Sequence, residues 1–205
     1  MASEVLDLRK ELRHLYRAPT GSCELVEVPE LKYLMVDGRG DPATAAPFQD
    51  AMQALYSVAY TAKFTSKALG RDFKVVPVEG LWWSEDPQAF ATDGRDAWCW
   101  TVMVMVPDFI DTAFVDECAS KVAAKKEVPA LDLLRLESYA EGSAVQTMHL
   151  GPYDTEGPTI AMLHKYMEDE GLTFAGKHHE IYLSDPRRTA PERIKTIIRQ
   201  AVKKA

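Results

Sequence analysis

Leu8, Leu12 and Leu15 recur at helical spacing near the N-terminus. The pattern predicts a helix over residues 4–17, with Ser3 as its N-cap and Pro19-Thr20-Gly21 as its stop. Two short apolar runs follow, residues 25–28 and 33–36, and the Pro29-Glu30 pair between them predicts a tight hairpin. From Pro47 the period changes to that of a helix. Phe48, Met52, Leu55 and Ala59 mark its apolar face, Tyr56 and Tyr60 lie one step round it, and Gly70 ends it. Strands are predicted over residues 75–83 and 98–106, separated by a polar loop containing Asp86-Pro87 and Asp93-Gly94, with a helix over about 111–126.

The second half runs in the same order. Residues 134–139, the turn Glu141-Gly142-Ser143 and residues 145–149 predict another hairpin. A helix near 156–170 follows, then a strand over 179–183, then a basic helix over about 191–203. Gly80-Leu81-Trp82-Trp83-Ser84 and Glu180-Ile181-Tyr182-Leu183-Ser184 lie one hundred positions apart and match at Leu81/Ile181, Trp82/Tyr182 and Ser84/Ser184. Together with the repeated order they predict a duplicated α+β unit, two halves presenting paired helices over an antiparallel sheet. The halves are expected at about 20–110 and 130–205, after an N-terminal helical extension at 1–19. Clefts between such halves are common ligand sites.

Composition narrows the chemistry. A formal net charge of −7 and the absence of a basic stripe longer than Arg187-Arg188 or Lys203-Lys204 argue against binding DNA or RNA directly. No apolar run approaches the ~20 residues that span a bilayer. Charges in the first ten positions argue against a secretory leader. Cys23, Cys99 and Cys118 are odd in number and widely spaced, which suits buried free thiols in a reducing compartment. A cytoplasmic protein with no membrane partner is expected; oligomeric state is not legible.

Several motifs lose their functional reading on inspection. Gly171-Leu172-Thr173-Phe174-Ala175-Gly176-Lys177 has the spacing of a phosphate loop, but His178 stands where a hydroxyl would hold magnesium, and the segment leads from a helix into a strand. His178, His179 and Glu180 invite a metal, yet strand parity puts His178, Glu180 and Tyr182 on one face and His179 with Ile181 on the other. No metal site is expected, and a histidine at a sheet margin is the simpler reading. No G-x-S-x-G elbow is present.

Glu180 stands apart, a carboxylate inside a segment patterned as a buried strand. Either it faces water from an edge, or it sits in a cleft with its pKa raised, able to hold a cation or serve as general base. Trp82, Trp83, Trp98 and Trp100, all in two successive predicted strands, favour an aromatic-lined cleft, although tryptophans also fill cores. Parity sends Trp82 and Trp83 to opposite faces and leaves open which one enters. Tyr56 lies where it can line a wall.

Leu55-Tyr56, Val78-Glu79-Gly80-Leu81-Trp82-Trp83, His149-Leu150-Gly151-Pro152-Tyr153 and His179-Glu180-Ile181-Tyr182-Leu183-Ser184-Asp185-Pro186, spread over about residues 20–202, resemble the GyrI-like small-molecule-binding family. That family also supplies drug-sensing domains of bacterial transcription activators. The resemblance implies an α+β fold with a duplicated β-α-β-β (SHS2-type) repeat, an antiparallel sheet with helices on one side, and a central ligand cleft with Glu180 at its floor. The roughly twenty residues before the domain are too few for a helix-turn-helix reader. The segment Glu79-Gly80-Leu81-Trp82-Trp83 further resembles a subgroup that hydrolyses the strained cyclopropane of planar, DNA-alkylating natural products.

Carried across, the resemblance implies Glu180 and Tyr182 as catalytic candidates and Tyr56, Trp82, Trp83, Trp100, His149 and Tyr153 as ligand-binding candidates. No metal or organic cofactor is required, and the implied partner is a planar hydrophobic small molecule. Two other readings are carried beside hydrolysis: a multidrug-binding protein that protects by sequestration, and a protein-binding inhibitor of gyrase type.

Overall fold

The computed structural model describes residues 5–84 and 97–205. Among these run α1 (Leu8–Glu11), β1 (Glu24–Arg39), α2 (Ala46–Ala68), β2 (Glu79–Trp83), β3 (Cys99–Met105), α3 (Thr112–Ala123), β4 (Arg135–Leu150), α4 (Gly157–Asp169), β5 (Leu172–Tyr182) and β6 (Lys195–Lys204). The order β1-α2-β2-β3 recurs as β4-α4-β5-β6, a mixed α/β architecture whose strands pair antiparallel. No helix of the described residues is long and apolar enough to cross a membrane. The expected Ser3 cap and the loop with Asp86-Pro87 and Asp93-Gly94 lie outside the described residues.

Four expectations are corrected. Each predicted hairpin is one continuous strand of 16 residues, β1 and β4. Two-residue hairpin turns favour positive φ at one or both central positions. Pro29 and Glu30 have none, and in β4 Gly142 alone, at φ 74°, does not reverse the chain. The N-terminal helix shrinks to α1 and a 3-10 turn at Arg13–Leu15. Its backbone is spent on tertiary bonds instead: Leu6 N donates to Asp72 O at 3.0 Å, and the carbonyls of His14, Leu15 and Arg17 accept from buried side chains.

The C-terminal basic helix is the strand β6, buried from Thr196 to Val202 between β4 and β5. A strand covered on both faces loses its alternation, and the run Thr196-Ile197-Ile198 is β-branched. Arg199 and Gln200, within the segment expected as a basic helix, are satisfied inside. β5 begins at Leu172, so the glycine-lysine segment lies at the start of a strand. Its register shifts between Phe174 and His178, where the Gln200 amide donates to Gly176 O at 2.9 Å.

The chain forms two compact units, the first from 1–8, 31–76 and 82–139, the second from 9–30, 77–81 and 140–205. In the first, β1 pairs with β3 from Tyr33↔Met105 to Arg39↔Cys99, and α2 packs on β3 and α3. The buried face of α2 is Ala51, Ala54, Leu55, Val58, Ala59, Ala62 and Ser66, mostly alanine. Asp111 caps α3 by accepting from Phe114 N at 2.8 Å.

The second unit pairs β5, β6 and β4, and packs Leu163 and Met167 of α4 on Val145, Ile198 and Val202. It also contains a buried charge cluster. His179, fully buried, bonds through Nδ1 to the Glu141 carboxylate (3.0 and 3.1 Å) and through Nε2 to Glu79 Oε2 (3.0 Å). Two carboxylates are acceptors only, so both ring nitrogens donate and the ring is an imidazolium. The Tyr16 hydroxyl donates to Glu79 Oε1 at 2.8 Å. Arg199 donates to Glu141 at 3.4 Å, to Gln146 Oε1 at 3.0–3.1 Å and to Leu15 O at 2.6 Å. Gln146 then donates to His14 O, Arg17 O and Glu24 Oε1 at 2.8–2.9 Å. Two cations and two carboxylates balance, which makes their burial tolerable.

Burial, the largest single effect, would lower the His179 pKa, but the Glu141 charge, the hydrogen bonds the ring donates to Glu141 and Glu79, and the Glu79 charge together outweigh it, and the pKa rises to about 9. Burial likewise pulls Glu141 up, and the His179 charge leads the effects that hold it below its usual value. Because the folded pKa of His179 lies above the unfolded one, its stabilisation is complete below the unfolded pKa of roughly 6.5 and vanishes as pH rises through about 9. Chemical denaturation should lose roughly 3 kcal/mol across that window. His179→Ala should cost ~3–5 kcal/mol at pH 7 and flatten the pH dependence.

Candidate functional site

Two groups of candidate residues are assembled, one in each unit. In the first unit, strand parity turns Trp100 toward Gly38, its register partner on β1. A Cβ on Gly38 would lie 2.1 Å from the Trp100 ring, so only glycine admits the indole at this point. Phe48, at the start of α2, meets Trp100 edge-on at 5.2 Å and stacks on Trp82 at 5.9 Å. Trp98 meets Trp82 edge-on at 5.9 Å. Trp82 is buried in this cluster, whereas Trp83 is half-buried. Trp100 has no exposure, and its Nε1 has no hydrogen-bond partner among the described residues. Tyr56, two turns along α2 from Phe48, stacks with Tyr60 at 6.3 Å.

In the second unit, β4, β6 and β5 bring His149, Thr196 and Tyr182 into one row across three strands, with Glu180 two residues before Tyr182 on the same face. His178 bonds Glu180 Oε1 at 3.2 Å, as parity predicts, and the Glu180 side chain is 14% exposed. Tyr153 meets the Tyr182 ring edge-on at 5.6 Å. His149 is tied down at both nitrogens. Nε2 donates to Pro152 O at 3.1 Å, which leaves Nδ1 to accept from the Thr159 hydroxyl at 2.9 Å. It thereby shapes the turn carrying Tyr153 and Glu156.

Glu156 is the residue that sequence reasoning missed. It stands at the N-terminus of α4, yet its side chain makes no cap bond and is turned inside, 5% exposed. Its Oε1 has no hydrogen-bond partner among the described residues. Burial first, and the negative charge of Glu180 second, push its pKa up to about 9. Burial and the neighbouring Glu180 thus favour the protonated form of Glu156, an arrangement that separates the roles of two like groups.

Comparison with known proteins decides the family. The family model described as a GyrI-like small molecule binding domain matches residues 22–203. The chain belongs to the GyrI-like family. An uncharacterized conserved protein from Listeria innocua is 42% identical, with a TM-score of 0.90 over 97% of this chain and 100% of its own. Two structures of a hydrolase from the same organism are 40% and 42% identical, with TM-scores of 0.83 and 0.86 over 97% and 98% of this chain and all of theirs. The C-terminal domain of EcmrR shares the fold at 16% identity and a TM-score of 0.58, over 90% of this chain and 98% of that one. No curated protein matches the sequence.

Within this GyrI-like domain the candidates fall into place unevenly. Trp82 and Trp100 are brought together by Phe48, a residue read only as helix core. Glu180, Tyr182, Tyr153 and His149 share the second unit with Glu156. His179, expected at a sheet margin, is instead the buried centre of the charge cluster. The one sequence cue to Glu156 was its position three residues after Tyr153, at the end of the His149–Tyr153 segment.

Two outcomes test this geometry. Gly38→Ala should shift the tryptophan emission spectrum and cost ~1–3 kcal/mol by over-packing against Trp100. Glu156→Gln should raise the melting temperature at pH 8. The raised folded pKa of a carboxyl means that stability is lost as pH climbs from the unfolded value toward about 9, and the neutral amide escapes that loss.

Proposed function

We propose that the protein binds planar hydrophobic small molecules and hydrolyses a strained cyclopropane in them, protecting the cell in which it acts as a cytoplasmic enzyme. The observation that carries the reading is the Glu156–Glu180 pair, two largely buried carboxyls side by side, with the pKa of Glu156 pushed up by burial and by the Glu180 charge. Buried carboxyl pairs with separated proton affinities are the usual equipment of acid–base catalysis. The hydrolases from Listeria innocua, 40% and 42% identical over their whole length, support a hydrolytic step. The repeated β-α-β-β order and the match across one hundred positions support an internal duplication of SHS2 type.

In this reading the carboxyls of the second unit react, and His149 sets the turn that carries Tyr153. In the first unit Trp82, with Phe48 and Tyr56, is proposed to bind flat apolar surface, and Trp83 and Trp100 are further ligand-binding candidates. Glu180 accepts a proton from water as the water oxygen bonds to the cyclopropane carbon. The ring C–C bond breaks, and its electron pair passes through the conjugated system to the carbonyl oxygen. Tyr182 or Tyr153 donates a hydrogen bond to that oxygen as it becomes anionic. Glu156 holds its own proton against Glu180 and fixes the orientation of the base. Ring strain lies in the substrate, so a modest rate factor suffices.

Binding without turnover is the other reading, since an aromatic cluster needs no chemistry to retain a flat molecule. Incubation with a cyclopropanoid alkylator separates the two by mass spectrometry. Hydrolysis predicts ring-opened product carrying one added water, formed faster than in buffer, with kcat reduced ~10²–10⁴-fold in Glu180→Gln. Quenched tryptophan fluorescence with product at the buffer rate, unchanged by Glu180→Gln, leaves a sequestering protein and ends the enzyme proposal.

A further inference from the structure

Thr196 has no part in the chemistry described so far, yet its hydroxyl is buried where a hydroxyl is least expected. It lies on β6 between His149 on β4 and Tyr182 on β5, and it is fully buried. Ile197 and Ile198 follow it, so valine would be the ordinary β-branched choice at this position. Thr196 Oγ1 has no hydrogen-bond partner among the described residues. His149 offers it none, because Nδ1 is engaged by the Thr159 hydroxyl and Nε2 by Pro152 O. Glu156 Oε1 is buried and unpartnered in the same way. After burial, the largest effect on the Glu156 pKa, come the Glu180 charge, which raises it, and the Thr196 hydroxyl, which lowers it. Both residues are therefore its neighbours. In the sheet, Thr196 pairs with Tyr182 and Ile198 with Glu180, which sets Thr196 on the face that carries Glu180. The whole group belongs to the second unit.

Buried polar atoms without a protein partner are the usual hosts of an ordered water, which needs several polar neighbours of its own. Resting on the hydrolytic reading above, we infer that Thr196 is a positioning residue: with Glu156 Oε1 and Glu180 it seats the water that attacks the substrate. The inventory of donors and acceptors fits one water. A protonated Glu156 still offers Oε1 as an acceptor, the Glu180 carboxylate accepts only, and the Thr196 hydroxyl has a hydrogen to donate. The water gives one hydrogen to each carboxyl group and accepts one from Thr196. Three of its four tetrahedral directions are then filled. The fourth is a lone pair, left for the carbon of the strained ring. As the O–C bond forms, the hydrogen held toward Glu180 passes to that carboxylate. The ring C–C bond breaks and its electron pair moves to the carbonyl oxygen, while Thr196 and Glu156 keep their protons. Thr196 acts through the water and sets its direction.

Two substitutions, assayed with a cyclopropanoid alkylator, test the inference. Thr196→Val keeps the shape and removes the hydroxyl, whereas Thr196→Ser keeps the hydroxyl. Thr196→Val should lower kcat ~10–100-fold and leave KM unchanged, because the water is misdirected and the guest is not. Thr196→Ser should recover most of that rate. Thr196→Val should melt at or near the wild-type temperature, since the hydroxyl bonds no described protein group that the substitution would strip of its partner. A crystal structure of the wild-type chain should show one ordered water bonded to both Thr196 Oγ1 and Glu156 Oε1. Wild-type kcat in Thr196→Val overturns the inference, and a crystal structure with no water at that pair does the same. A lost rate that serine does not recover also overturns it, as does a melting temperature lowered by more than about 5 °C in Thr196→Val, the mark of a broken protein contact. Either result makes Thr196 a packing residue. In each of those cases hydrolysis itself stands. A wild-type chain that forms product no faster than buffer ends the hydrolytic reading, and the inference with it.

Discussion

The buried imidazolium of His179 organises the second unit. His179 is held as an imidazolium because both of its neighbours are carboxylates, and those carboxylates are tolerable inside because His179 and Arg199 neutralise them. The six members of the cluster come from five stretches of chain: Tyr16 from the N-terminal segment, Glu79 from β2, Glu141 and Gln146 from β4, His179 from β5 and Arg199 from β6. Removing any one leaves a charge or dipole stranded. The cluster thus ties together strands that local sequence does not bring together, and it absorbs three backbone carbonyls of residues 14–17 that an N-terminal helix would otherwise have used.

That constraint positions the candidate chemistry. Side chains alternate along β5, so burying His179 on one face sends His178, Glu180 and Tyr182 to the other. Glu180 then faces the turn after β4, whose shape is set by the two hydrogen bonds of His149. Glu156 enters from that turn. The structure carries a penalty here, a carboxyl turned inward with one oxygen lacking a hydrogen-bond partner among the described residues, of the kind that folding alone would not select. The first unit holds a comparable concession at Gly38, a glycine in mid-strand where the backbone must yield to an indole.

Much of this was legible in the sequence, and the remainder was hidden for definite reasons. α2, α3 and α4 are amphipathic, and their period announced them within a few residues. Strand parity correctly paired His178 with Glu180 and separated both from His179. β6 was misread because a strand buried on both sides shows no alternation, and because Arg199 and Gln200 look solvated until their partners are known. Pro29-Glu30 suggested a turn, but a proline in extended backbone is equally compatible with a continuing strand. Glu156 was invisible because an acidic residue at a helix start is usually an exposed, dipole-favoured one. Only the tertiary packing turns it inward.

The central claim is that Glu156 retains its proton at neutral pH beside Glu180. Infrared spectroscopy reads this directly, through the carbonyl stretch of a protonated carboxylic acid, which ionised carboxylates lack. A band present at pH 7, absent in Glu156→Gln and titrating away near pH 9 is the expected result. A spectrum without that band at pH 7, or one unchanged by the substitution, would contradict the account.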